Sequence, residues 1–220
     1  MMTQIAKAYI WQRRFLGVLG ITLPFLVLLF GLFGNNGPDW YYSISASAYT
    51  NAAPWFLTTM GAVGWFLIAY GAAIYREYSS LDFAINLASG IFALLISCFP
   101  CLTAAVERAG LIPLPIKTCS IIHNTSAAVF FFLLAMNILV LFTKSSGSMT
   151  KEKQRRNLIY RVCGIGILLF MAVQAYTSFF AKLDGPYTMA NEAAMLFLFG
   201  AAWLVKGETL LKDSAEAQPA

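Results

Sequence analysis

The chain has 220 residues, of which 59% are hydrophobic and only 11% charged, with a formal charge of +5. A soluble domain carries roughly 25% charged residues, so this composition excludes an ordinary water-soluble globule, whose surface it could not cover. No Ser/Gly linker, charge block or internal repeat divides the chain, which implies one membrane domain over 1–212 and a disordered polar tail over 213–220.

A helix needs about 20 apolar residues to cross a hydrocarbon core of about 30 Å. Six charge-poor intervals approach that length. In chain order they are 15–33, containing Pro24; 54–75; 83–105, containing Pro100; 118–143; 162–181; and 187–205, which holds Glu192. The runs are apolar on all sides rather than on one stripe, which predicts helices in lipid. They do not alternate as the short strands of a membrane barrel would. The expected fold is therefore all-α: a polytopic bundle of six transmembrane helices. Arg13-Arg14-Phe15-Leu16 has the look of a twin-arginine export signal, but the apolar run that follows is long enough to span and has no small-residue cleavage site close behind it. The first helix is thus read as retained.

Lys and Arg accumulate in cytoplasmic loops. With the N-terminus inside, twelve fall inside: Lys7, Arg13, Arg14, Arg76, Lys144, Lys151, Lys153, Arg155, Arg156, Arg161, Lys206 and Lys212. Only Arg108, Lys117 and Lys182 fall outside. This bias predicts both termini in the cytoplasm of a cell (inner or plasma) membrane. It also accounts for the net positive charge, which faces anionic lipid. The basic stretch from Lys144 to Arg161 lacks interleaved aromatics, so membrane lipids, not nucleic acid, are the implied partners.

The loop between the first two spans, 34–53, holds no Lys or Arg. Trp40, Tyr41, Tyr42 and Tyr49 suit the membrane interface. The loop reads either as a half-buried interfacial segment or as a cap over a pocket, with Ser43, Ser45, Ser47 and Asn51 turned inward. Ionisable groups inside spans are costly and tend to be functional. His123, the single histidine, and Glu192 fall at similar depth near the outer ends of spans four and six. If those helices are neighbours, the two could pair; interfacial solvation or a structural interhelix contact are the plainer alternatives. Together with Asp39, Trp40, Ser43, Ser45, Tyr49 and Asn51, they form the candidate ligand-binding set. Asn86, Asn137, Gln174 and Ser178 read as interhelix hydrogen bonds. Cys98 and Cys101 form a C-x-x-C without a second ligand pair, which argues against zinc. On an oxidising face Cys119 could bridge to Cys98 or Cys101; free thiols are the alternative. No mid-span Lys, multi-histidine set or phosphate-binding glycine motif occurs, so no metal or cofactor is implied.

The order of several short motifs resembles a six-helix membrane superfamily, that of the damage-regulated autophagy modulators and the GPI-anchor lipid-remodelling proteins. It is more similar still to uncharacterised prokaryotic membrane proteins of this length. The motifs are Tyr42-Ser43-Ile44-Ser45 before Pro54, Asn86 with Phe99-Pro100, and His123 opening the fourth span. Arg156-Asn157 before Tyr160-Arg161-Val162-Cys163 and the acid Glu192 complete the series. Where the superfamily often reads Asp-Thr-Gly, and Glu after the proline, this chain has Ala46-Ser47-Ala48 and Trp55. The resemblance implies a six-helix fold and a link to lipids.

Three functional classes follow. The favoured one binds or handles a lipid at an outer-leaflet site under the first loop. The second is a lipid hydrolase or acyltransferase with Ser43 or Ser45 as nucleophile, His123 as base and Glu192 as orienter, although no complete catalytic motif is present. The third is a proton-coupled transporter or channel switching on Glu192 and His123.

Overall fold

A computed structural model describes residues 4–33, 42–74, 80–144, 149–183 and 185–209. The candidate residues Asp39 and Trp40, along with Arg76 and the tail, lie outside the described residues. Among the described residues, six helices are long and apolar enough to cross a membrane. They are α1 (Gln4–Gly31), α2 (Ala53–Ile74), α3 (Ser80–Cys98), α4 (Ile116–Met136), α5 (Lys151–Tyr176) and α6 (Pro186–Lys206). Two of them are lengthened by a π-helical turn, Asn137–Leu141 after α4 and Thr177–Ala181 after α5.

Three boundaries differ from the sequence expectation: α1 begins at Gln4 rather than at residue 15, and the other two differ for a local reason. The third span was expected to reach residue 105, but α3 stops at Cys98. Pro100 has no N–H to donate and disfavours the helical conformation at Phe99. The apolar residues beyond it form a loop with a short antiparallel ladder, β1 (Arg108–Ala109) against β2 (Leu114–Pro115), a small departure from an all-α chain. The fifth span was expected from residue 162, yet α5 begins at Lys151. Its first turns are charged and so carry no apolar signal. The start is fixed instead by Thr150, whose hydroxyl accepts from the Lys153 N–H at 3.1 Å.

The helices close into a ring: each packs on its neighbour in sequence, and α6 returns against α1. Glycines allow the tightest approaches. A Cβ placed on Gly90 of α3 would fall 2.6 Å from Ile68 Cγ1 of α2, and one on Gly200 of α6 would fall 2.7 Å from the Gly17 carbonyl of α1. The centre of the ring is apolar and rich in aromatics. Trp203 is fully buried, edge-on to Tyr70 and Phe142 at centroid distances of 5.2 and 5.0 Å. The outer surface is equally apolar: Trp65, Leu169, Phe179 and Phe180 are all more than 60% exposed, the last at 78%. Apolar patches of this extent mark a surface that water does not cover, and lipid is the natural solvent for it. Of the residues expected to bond between helices, Asn86, Asn137 and Gln174 do so, whereas Ser178 bonds Gln174 within its own helix. Asn137 donates to Asn86 across α4 and α3 at 2.7 Å, and Asn191 to Gln174 across α6 and α5 at 3.1 Å.

Candidate functional site

The loop before α2 is built by its own serines. Ser43 Oγ accepts from the Ala46 N–H at 2.9 Å and starts a 3₁₀ helix, Ser45–Tyr49. Ser47 Oγ returns its proton to the Ile44 carbonyl at 2.5 Å. Three long-range bonds then pin this segment over the end of the bundle. Glu192 of α6 accepts from the Ile44 N–H at 2.5 Å. Tyr49 donates to the Cys101 carbonyl at 2.8 Å, and Asn51 Nδ2 to the Phe30 carbonyl at 2.7 Å. Burial drives the Tyr49 phenol above its usual range, so it remains a donor at any ordinary pH. Of the four side chains expected to turn inward, Ser45 and Ser47 are buried and Ser43 is half-buried, whereas Asn51 is exposed.

Pro100 also determines the state of His123. By ending α3 it leaves carbonyls without helical partners. The Cys98 carbonyl accepts from the Leu111 N–H at 2.8 Å, and the Phe99 carbonyl lies 2.7 Å from His123 Nδ1. A carbonyl can only accept, so Nδ1 carries the proton and Nε2 keeps a lone pair. His123 is 3% exposed, and the Ile96 carbonyl faces the same imidazole as that of Phe99.

His123, Ser45 and Glu192 come from three distant stretches, yet they line one cavity of about 30 Å³ under the cap. The remaining wall is apolar, with Leu23, Phe56, Met60 and Phe130 prominent. That volume holds about two waters. The direct His123–Glu192 bond raised from the sequence is not formed, because each side chain is committed to a backbone group of a different loop. A Ser–His–Glu relay is likewise not wired: Ser45 meets Ser43 at 3.1 Å, while Glu192 orients the loop rather than the imidazole. Among the described residues, no lysine or arginine lines the cavity. Among the described residues, no group of three or more His, Cys, Asp or Glu is placed to hold a metal ion.

The cysteines are all free thiols. Cys119 is not bridged to Cys98 or Cys101; its Sγ lies 3.0 Å from the Ala109 carbonyl, inside the β1–β2 turn. Gly110 keeps that turn open, with φ +93 and the thiol close behind it. Burial pushes the Cys101 thiol up to about 11, against the opposing pull of the Ser45 hydroxyl. Only the thiolate is nucleophilic, so Cys101 reacts slowly near neutral pH. Alkylation of Cys101, followed by site-resolved mass spectrometry, is expected to accelerate about tenfold per pH unit from pH 8 to 10. A rate that levels off below pH 9 would show an ordinary exposed thiol instead.

Comparison of the chain with protein-family models, with curated proteins and with solved structures finds no match. The functional reading therefore rests on geometry.

A second cavity, about 70 Å³, opens at the other end of the ring, and sequence reasoning missed it. Arg13 of α1, Tyr70 of α2, Asp82 and Asn86 of α3, Asn137 of α4 and Lys206 of α6 line it, with Lys144 at the rim. Its residues were legible only singly, the cations as topology anchors and the asparagines as interhelix bonds. The signal that joins them is a common depth, at the same end of five spans. The stretches between the two cavities are buried and mostly apolar, with Val63 and Leu67 on α2, Ala93 on α3, Leu134 on α4, and Phe199 and Trp203 on α6; Ser89 and Ser126 are the polar exceptions. No polar path connects the cavities among the described residues.

Proposed function

We propose that this chain is a multi-pass protein of a cell membrane, with both termini cytoplasmic, that binds a lipid head group on the outer side beneath the loop between α1 and α2. One observation carries the reading. Ser45, His123 and Glu192 converge on a single cavity whose other walls are apolar. Its polar groups are acceptors or hydroxyls: a carboxylate, an imidazole lone pair and serine. Such a lining suits a head group that donates, an ammonium or a hydroxyl, rather than a bare phosphate. The small volume means that the head group enters by displacing the cap. The orientation is supported by the bundle end that gathers Arg13, Lys144 and Lys206. The resemblance to the lipid-remodelling superfamily points the same way.

Native mass spectrometry of the protein in mild detergent tests this. Wild type is expected to retain an ethanolamine- or hydroxyl-bearing lipid that a His123→Ala/Glu192→Gln double variant loses. Identical lipid profiles in the two samples would sink the idea. The glutamine still accepts from the Ile44 N–H, so loss of lipid in the double variant does not simply report an undocked cap.

A further inference from the structure

The cavity at the Arg13 end has a charge pattern that the outer site does not use. Lys144 and Asp82 form an ion pair at 3.0 Å and offset one another. Arg13 and Lys206 share the cavity with Asp82 but form no ion pair among the described residues. Arg13 directs its Nε to the Tyr70 hydroxyl at 3.1 Å and stacks on that ring, which leaves both terminal guanidinium nitrogens without a protein partner among the described residues. Lys206 makes one contact there, over the Phe142 ring at 5.1 Å. Glu208, just past α6, pairs with neither.

A second, independent observation lies on the same wall. Asn137 is fully buried, and its Oδ1 has no donor. The amide orientation is set by a chain of bonds. Asn86 Nδ2 must face the Asp82 carbonyl, at 2.8 Å, so Asn86 Oδ1 faces Asn137 and demands its Nδ2, at 2.7 Å. Oδ1 is then left as an acceptor, and the π-helical turn that begins at Asn137 locally widens α4 at this point. An unpaired buried acceptor is costly, and a site of this kind is commonly filled by a ligand or water.

We propose that this cavity binds a phosphate group that carries or adjoins a hydroxyl. Arg13 and Lys206 take the phosphate oxygens, and Asn137 Oδ1 accepts from the hydroxyl. Guanidinium and ammonium together match a phosphate anion that keeps one hydroxyl. A space of about 70 Å³ accommodates about five water-sized groups, the size of one phosphate. Lys144, at 47% side-chain exposure, keeps the entrance open at the end of the bundle. The same chemistry is offered by a lipid head group or by free phosphate. The site stands apart from His123 and does not depend on the outer reading.

The test uses the full chain in a maltoside micelle, which supplies no phosphate. Dioctanoyl phosphatidic acid and inorganic phosphate are titrated separately, and the melting temperature is read from tryptophan fluorescence. A saturable rise is expected in wild type. Arg13→Gln and Lys206→Met are each expected to weaken it about tenfold or more, while Lys7→Gln leaves it unchanged. A rise with the lipid alone assigns a lipid head group; equal rises with both ligands assign phosphate itself. No saturable rise in wild type with either ligand overturns the proposal, as does unchanged affinity in both cavity variants. Should charge removal prevent folding, Arg13→Lys and Lys206→Arg keep the charge, and the wild-type titration alone decides.

Discussion

Glu192→Ala is expected to release the cap over the outer cavity and to cost about 2–3 kcal/mol of stability, while Glu192→Gln costs less than about 1 kcal/mol. The carboxylate accepts from the Ile44 N–H at 2.5 Å and is the bond that ties the loop to α6. Alanine leaves that backbone donor half-buried with no partner, and a donor lost this way forfeits more than a typical hydrogen bond returns. Glutamine keeps an acceptor oxygen at the same place. Tyr49 and Asn51 hold the far side of the segment, so the cap should loosen at Tyr42–Ser45 before it does at Asn51. Hydrogen exchange of residues 43–50 would rise in the alanine variant, and denaturant unfolding in detergent would give the stability change. Equal exchange in wild type and Glu192→Ala would show that the Tyr49 and Asn51 bonds suffice, and Glu192 would lose its anchoring role.

The six spans were legible because apolar runs of this length have few other uses. Their ends were less so, since an end is decided by one or two residues. Pro100 stops α3 inside an apolar run, while Thr150 starts α5 inside a charged one. For the His123 cavity, the sequence indicated depth along the helices but not direction. His123 and Glu192 do share a cavity, as their similar distances from the span ends suggested. Their partners, the Phe99 carbonyl and the Ile44 N–H, are backbone groups, and no side-chain pattern reports those. The cavity at the Arg13 end was hidden for a different reason. A bias of basic residues toward one end of the bundle is expected of a membrane protein, so the charge of Arg13, Lys144 and Lys206 gives no separate sign of a site. The closure of α6 on α1 is what brings Arg13 and Lys206, 193 positions apart in the chain, to one wall.

That closure rests on small residues, which leads to the second large effect. Gly200→Val is expected to cost more than about 3 kcal/mol and to abolish a monodisperse bundle, whereas Gly61→Ala is expected to be neutral or to stabilise by about 0.5–1 kcal/mol. A Cβ on Gly200 would meet the Gly17 carbonyl at 2.7 Å and the Ile21 N at 3.0 Å, both backbone atoms of α1. A flexible side chain can move aside, but a helix backbone moves only as a rigid unit. Even alanine at Gly200 forces α1 and α6 apart, and the two γ-methyl groups of valine extend the clash along the groove. Because α6 carries Glu192 near one end and Lys206 at the other, that displacement should disturb both cavities together. At Gly61 nothing lies within 4 Å of the added Cβ, so the gain in helix propensity is unopposed. Size-exclusion profiles and unfolding curves in maltoside would separate the two cases. A Gly200→Val protein that elutes and unfolds like wild type would mean that α1 and α6 are not held at this distance, and the shared wall of Arg13 and Lys206 would fall with it.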